Sequence, residues 1–150
     1  MARPSIFDFV GGEPAFRRLT AALHERCLAD PELNHPFSHA MDPAHLEHLA
    51  AYLAEVFGGP ARYSGSLGGH SGMLRIHAGQ GTGQDYGVRF AACFMQAVDD
   101  AGFPDDPELR STLRRYIELA SAEVVSYGPA GAVVPPDQPI PRWGWSGPVT

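Results

Sequence analysis

Imidazole transfers protons and ligates metals near neutral pH, and this chain carries seven of them: His24, His35, His39, His45, His48, His70 and His77. Taken singly, a histidine is more often a surface or hydrogen-bonded residue than a ligand. His35 and His39 have the spacing of a helical metal pair, yet Pro36 between them disfavours helix at His35. A zinc site also needs a third protein ligand at suitable spacing, and no HExxH occurs. His45 and His48 share one helix face, but His-Leu-Glu-His brings no obvious further ligand. A dedicated zinc site is therefore not expected.

His77 has a different context. It follows Met73-Leu74-Arg75-Ile76 and precedes Ala78-Gly79, a short apolar turn inside a glycine-rich stretch. One imidazole presented from an apolar wall is what a haem iron needs on its proximal side. Arg75 is placed to reach a propionate. His45 and Leu49 lie one turn apart on one helix pattern, and His24 rides on the preceding one. Imidazoles there can donate hydrogen bonds to the partly negative outer atom of an iron-bound diatomic. The spacing permits this arrangement without requiring it.

Helices must position these side chains. Phe16, Leu19, Leu23 and Cys27 recur at helical steps after Glu13-Pro14, and Asp30-Pro31 ends that segment. Asp42-Pro43 opens a second helix with the stripe Leu46, Leu49, Leu53 and Phe57, stopped by Gly58-Gly59-Pro60. From Gly58 to Gly83 the glycines forbid a long helix and no alternation supports a strand, leaving one short helical turn near Met73–His77. Helix resumes near Gln84 with Phe90, Phe94 and Val98 on one face. Asp106-Pro107 starts the last helix, which carries Leu109, Leu113, Tyr116, Ile117 and Ala120. The tail GPAGAVVPPDQPIPRWGW is too proline-rich for regular structure and is expected to be extended, with Trp143 and Trp145 available to pin it. The class is all-α. Two crossed helix pairs with a connector in place of a fifth helix leave a gap that something should fill.

Composition narrows the function classes. The chain's 150 residues suggest one domain able to bury a core unaided. Net charge is −6 with no dense basic stripe, which argues against nucleic acid or an anionic membrane as partner. Every one of the 11 cationic side chains is arginine, so Schiff-base chemistry and a phosphate-loop lysine are excluded. Cys27 and Cys93 form no CxxC and cannot build a disulfide scaffold; buried, inert thiols are expected. The opening residues carry no long apolar segment, so a cytoplasmic location is expected.

Four segments, FDFVGGEPAFRRL, LHERCLADPELNHPF, VFGGPARYS and GHSGMLRIHAG, follow one another at near-gapless spacing in a way that resembles the second group of truncated haemoglobins. The resemblance covers roughly residues 5 to 127 and implies a globin-like two-over-two helical sandwich holding haem b, with residues 128–150 as a tail. It also implies His77 as the proximal iron ligand. Phe37, Leu49, Tyr52, Met73, Leu74, Phe90 and Phe94 become pocket wall, and His48, Tyr63 and Arg75 propionate partners. The chain departs from the family where its distal tyrosine and tryptophan usually stand, with His24 and Phe90 in their places, and His45 replaces a small residue. A two-histidine distal network, His24 and His45, is thus the expected seat of ligand stabilisation or acid–base catalysis.

The resemblance implies binding of a diatomic gas (oxygen, NO or CO) at ferrous haem, and admits peroxidase-like or nitric oxide dioxygenase chemistry, a reductase partner and a homodimer. The alternative is a haem-free globin-fold binding or sensor protein acting through a partner.

Overall fold

The computed structural model describes residues 3–31, 33, 44–66, 69–71, 74, 84–136 and 138–149, with the backbone alone at 44, 45, 66 and 84. His35, Phe37, His39, Met73, Arg75 and His77, with most of the helical turn expected around them, lie outside the described residues. In chain order the elements are α1 (Ile6–Val10), α2 (Glu13–Ala29), α3 (Ala44–Val56), α4 (Arg62–Ser66), α5 (Gln84–Asp100), α6 (Pro107–Ser126), β1 (Arg142–Gly144) and β2 (Gly147–Val149).

Local chemistry sets the helix ends. The Ser5 hydroxyl caps α1 by accepting the Asp8 N–H at 3.1 Å. Pro14 opens α2, which stops at Asp30, an extended residue before Pro31. Asp106 caps α6 by accepting the Leu109 N–H at 2.9 Å, with Pro107 in the first turn. The short α1 and α4 were not expected: five residues are too few to show a periodicity.

The four long helices pack as two pairs, α2 against α3 and α5 against α6, joined where α2 packs against α5. The core between them is aromatic. Phe7 and Phe57 flank Phe16 with centroids 5.9 and 6.1 Å away, and Phe103 meets Phe16 edge-on. Gly59 lets α1 seat against the end of α3. A Cβ there would stand 2.7 Å from both the Ala54 carbonyl and the Phe7 ring, so no larger residue fits without moving backbone. The Phe7 N–H also donates to the Phe57 carbonyl at 2.9 Å.

The tail departs from the sequence expectation by ending in a short antiparallel hairpin, with Trp143 opposite Pro148 and Gly144 opposite Gly147. Strands of three residues interrupted by glycine and proline carry no alternation to read. Trp143 and Ile140 are buried in the main core cluster. Thr112 on α6 donates its hydroxyl to the Trp145 carbonyl at 2.8 Å, and the Trp145 indole N–H donates to the Pro4 carbonyl at 2.7 Å. Buried Glu55 on α3 accepts the Ser64 N–H at 2.9 Å and the Ser64 hydroxyl, and Arg142 lies 3.8 Å from it. One satisfied carboxylate thereby fastens α4 and β1 to α3.

Candidate functional site

Between the two helix pairs lies a crevice lined by Leu23 of α2, Leu49, Tyr52 and Leu53 of α3, Tyr86, Gly87, Phe90 and Phe94 of α5, and the face of α6 from Tyr116 to Val125. It encloses about 110 Å³ and, counted out to its open mouth, about 710 Å³. That falls in the size range of small-molecule and cofactor sites. The walls are almost wholly apolar. Gly87 lets α5 and α6 approach at the rim, since a Cβ there would meet Val125 at 3.0 Å. Ser121 contributes a buried hydroxyl with no hydrogen-bond partner among the described residues.

Polar groups collect behind the wall. Tyr52 donates its hydroxyl to His70 Nδ1 at 2.6 Å, and His70 Nε2 meets the Glu123 carboxylate at 2.8 Å. In the neutral ring the carboxylate beside Nε2 assigns the proton to that nitrogen, which leaves Nδ1 to accept from the phenol. The Tyr116 hydroxyl is a further hydrogen-bond neighbour of Tyr52. Burial pushes the phenols of Tyr52 and Tyr116 well above the usual tyrosine range, so both stay neutral donors. His70 is buried, whereas Glu123 reaches solvent, so the line runs from the crevice wall to the surface.

Of the residues named above as pocket wall, the structure places Leu49, Tyr52, Phe90 and Phe94 around the crevice. Leu74 is buried but does not border it. His24 sits half-buried on α2, next to Leu23, which does. His45 stands in the first turn of α3, where only its backbone is described, and His48 is exposed on the same helix. Tyr63 packs edge-on against the Tyr52 ring at 5.2 Å, is buried, and does not border the crevice. Among the described residues no group of three His, Cys, Asp or Glu side chains is placed to hold a metal ion.

Sequence reasoning missed Tyr86, Val124 and Val125 as wall, and His70 and Glu123 as partners of Tyr52. The stripe on α6 could have been followed past Ala120, because Val124 and Val125 continue its helical spacing. Nothing in the spacing could have joined Tyr52, His70 and Glu123, which come from three separate stretches of chain. The two thiols are buried and free, with Cys27 pushed up to about 12 by burial and by neighbouring Cys93.

A family model described as bacterial-like globin matches residues 5–123. Among solved structures, the haemoglobin of the thermophilic phototroph Chloroflexus aurantiacus is 32% identical with a TM-score of 0.70, the alignment covering 81% of this chain and 98% of that one. The thermostable haemoglobin of Thermobifida fusca is 29% identical with a TM-score of 0.70, covering 81% and 97%. The group II truncated haemoglobin of Bacillus anthracis shares the fold at 19% identity and a TM-score of 0.70, covering 89% and 100%. The curated relative from Nostoc commune, a group 1 truncated haemoglobin GlbN, is 33% identical over 75 residues, and the chain spans only 59% of its length. No described helix is long and apolar enough to cross a membrane. The chain belongs to the bacterial-like globin family, and its fold is that of the two-over-two truncated haemoglobins.

Proposed function

We propose that the protein binds haem b in the four-helix crevice and takes oxygen or another diatomic ligand at its ferrous iron. The observation that carries this reading is the crevice itself: an apolar space between two helix pairs, walled by aromatic and branched side chains, in a chain of the globin family. The residues present fit the group. Tyr86, Phe90, Phe94 and Ile117 offer the apolar contacts a porphyrin needs, and Ser121 adds a buried hydroxyl without a hydrogen-bond partner among the described residues. Haem b, when bound, supplies an iron that takes a small gas molecule reversibly.

The chain's own residues do the rest. His77 would hold the iron, on the resemblance of its segment. The apolar walls exclude water, which limits proton leakage to a bound ligand. Phe90 has no hydrogen to donate, so polar assistance falls to His24 and His45. A neutral imidazole there can hold a proton at one ring nitrogen and receive one at the other, the requirement for the peroxidase-like or nitric oxide dioxygenase chemistry that goes with this reading. A reductase is the partner class that goes with this reading.

Titration of the purified full-length chain with hemin tests the proposal. A Soret band saturating at one hemin per chain is expected, and His77→Ala should shift or abolish it, with free imidazole restoring the original spectrum. Absence of hemin uptake by the wild-type chain would sink the crevice reading. An unchanged spectrum in His77→Ala would leave the crevice standing and remove His77 as ligand.

A further inference from the structure

Three phenols line the crevice: Tyr52, Tyr86 and Tyr116. Among the described residues Tyr52 is the one of them held by a base, with its hydroxyl 2.6 Å from His70 Nδ1. The Tyr116 hydroxyl has Tyr52, another phenol, as its neighbour. His70 is buried, and its Nε2 meets the Glu123 carboxylate at 2.8 Å. Glu123 reaches solvent. One side chain thus lines the crevice while its proton faces a base that leads outward. A phenol in an apolar wall becomes neither an anion nor a cation at low cost, and burial pushes Tyr52 well above the usual tyrosine range. It can give up an electron and a proton together and stay neutral, provided a base stands at the hydroxyl.

We propose that Tyr52 is a redox-active tyrosine, giving an electron to an oxidised group in the crevice while its proton leaves through His70 toward Glu123. The proposal rests on the haem-binding reading above. The oxidant is a hydroperoxide, which takes two electrons as its O–O bond breaks; one comes from the haem group and the other from Tyr52. The Tyr52 O–H bond breaks, and its proton forms an N–H bond at His70 Nδ1. The proton already on Nε2 passes to Glu123 and from there to water. Tyr52 is left as a neutral radical and His70 as its other neutral tautomer, so no charge is stranded in the wall.

Freeze-quench electron paramagnetic resonance of the full-length, hemin-loaded chain, mixed with one equivalent of hydrogen peroxide, is the test. A tyrosyl signal is expected in the earliest samples, reduced at least tenfold in Tyr52→Phe. Glu123→Gln keeps an oxygen that accepts from Nε2 but cannot take its proton, so the signal should form at least fivefold more slowly. Both variants are read at one hemin per chain and below their thermal midpoints, where a merely structural role would leave yield and rate alone. A signal that survives in Tyr52→Phe, or that Tyr86→Phe removes instead, would overturn the proposal and leave haem binding standing. An unchanged rate in Glu123→Gln would remove the proton exit and overturn it too. A chain that takes up no hemin shows no Soret band beforehand, so failure of the haem reading, which takes this proposal with it, is seen separately.

Discussion

Replacing Trp143 by alanine tests whether the tail is part of the folded body or an appendage. The indole is 5% exposed and meets the Tyr116 ring edge-on at 5.6 Å, while Tyr116 meets Phe57 at 5.0 Å. Its loss therefore opens a hole at the end of an aromatic chain that reaches the centre of the core. A buried tryptophan cut to alanine costs about 3–5 kcal/mol, a large share of the roughly 5–15 kcal/mol that holds a domain folded. For a chain of this size the thermal midpoint should fall by about 6–20 °C, at roughly 2–4 °C per kcal/mol. Urea unfolding followed by far-ultraviolet circular dichroism reads the difference, with an unchanged slope showing that the same surface is exposed. No described tail residue lines the crevice, so the variant should still take up hemin below its midpoint. A loss under about 1 kcal/mol, within the range of ordinary surface substitutions and small repacking, would refute the reasoning by showing that the tail sits loosely on the body.

Tyr52→Phe leaves buried His70 Nδ1 without its donor and should lower stability by about 1–3 kcal/mol; a double-mutant cycle with His70→Leu should recover most of that as coupling. Stability should fall on the alkaline side, because burial raises Cys27 from 9.0 to about 12 and Tyr86 from 10.0 to about 12 in the folded chain, so the unfolded chain loses those protons first. The effect is absent below pH 9 and each group adds a slope of about 1.4 kcal/mol per pH unit within its window; Cys27→Ala should flatten the decline measured by urea unfolding between pH 9 and pH 10. His24→Leu in the hemin-loaded chain should speed oxygen release about tenfold or more, the loss of roughly 1.5–3 kcal/mol of charge-assisted hydrogen bonding; an unchanged stopped-flow rate removes His24 from the distal network. Hemin should raise the thermal midpoint in a concentration-dependent way, by linkage to the folded state, and an unaffected midpoint would show that hemin does not bind the folded chain in preference to the unfolded one.

The long helices were legible because their signals are local. Pro14 and Pro107 sit in first turns, Asp106 caps, and apolar residues recur every three or four positions, so α2 and α6 begin where those residues stand. Leu49, Phe90 and Phe94 were legible as members of apolar helical stripes, whereas Tyr52 was named only on the family resemblance. What could not be read was long-range. The hairpin holding Trp143 is fixed by tertiary contacts to Thr112, Pro4 and Glu55, none of which has a signature in the tail's own sequence. Tyr52 and His70 stand 18 residues apart with no spacing signal to join them, and only folding puts them 2.6 Å apart.

On the proposed haem-binding reading, the arrangement separates two needs that a gas-binding pocket sets against each other. An apolar wall keeps water from the bound ligand, yet any chemistry beyond reversible binding needs protons. Phe90 and Phe94 meet the first need by offering no polar atom to the crevice. Tyr52 meets both, because its ring belongs to the crevice wall while its hydroxyl engages His70 on the other side. From there Glu123, exposed at the far end, connects the line to solvent. Burial keeps the Tyr52 phenol protonated, so the line carries no net charge into the wall, and charge stays at the surface carboxylate where water screens it. A phenylalanine at position 52 would preserve the wall and cut that connection, so Tyr52→Phe separates what depends on dryness from what depends on protons.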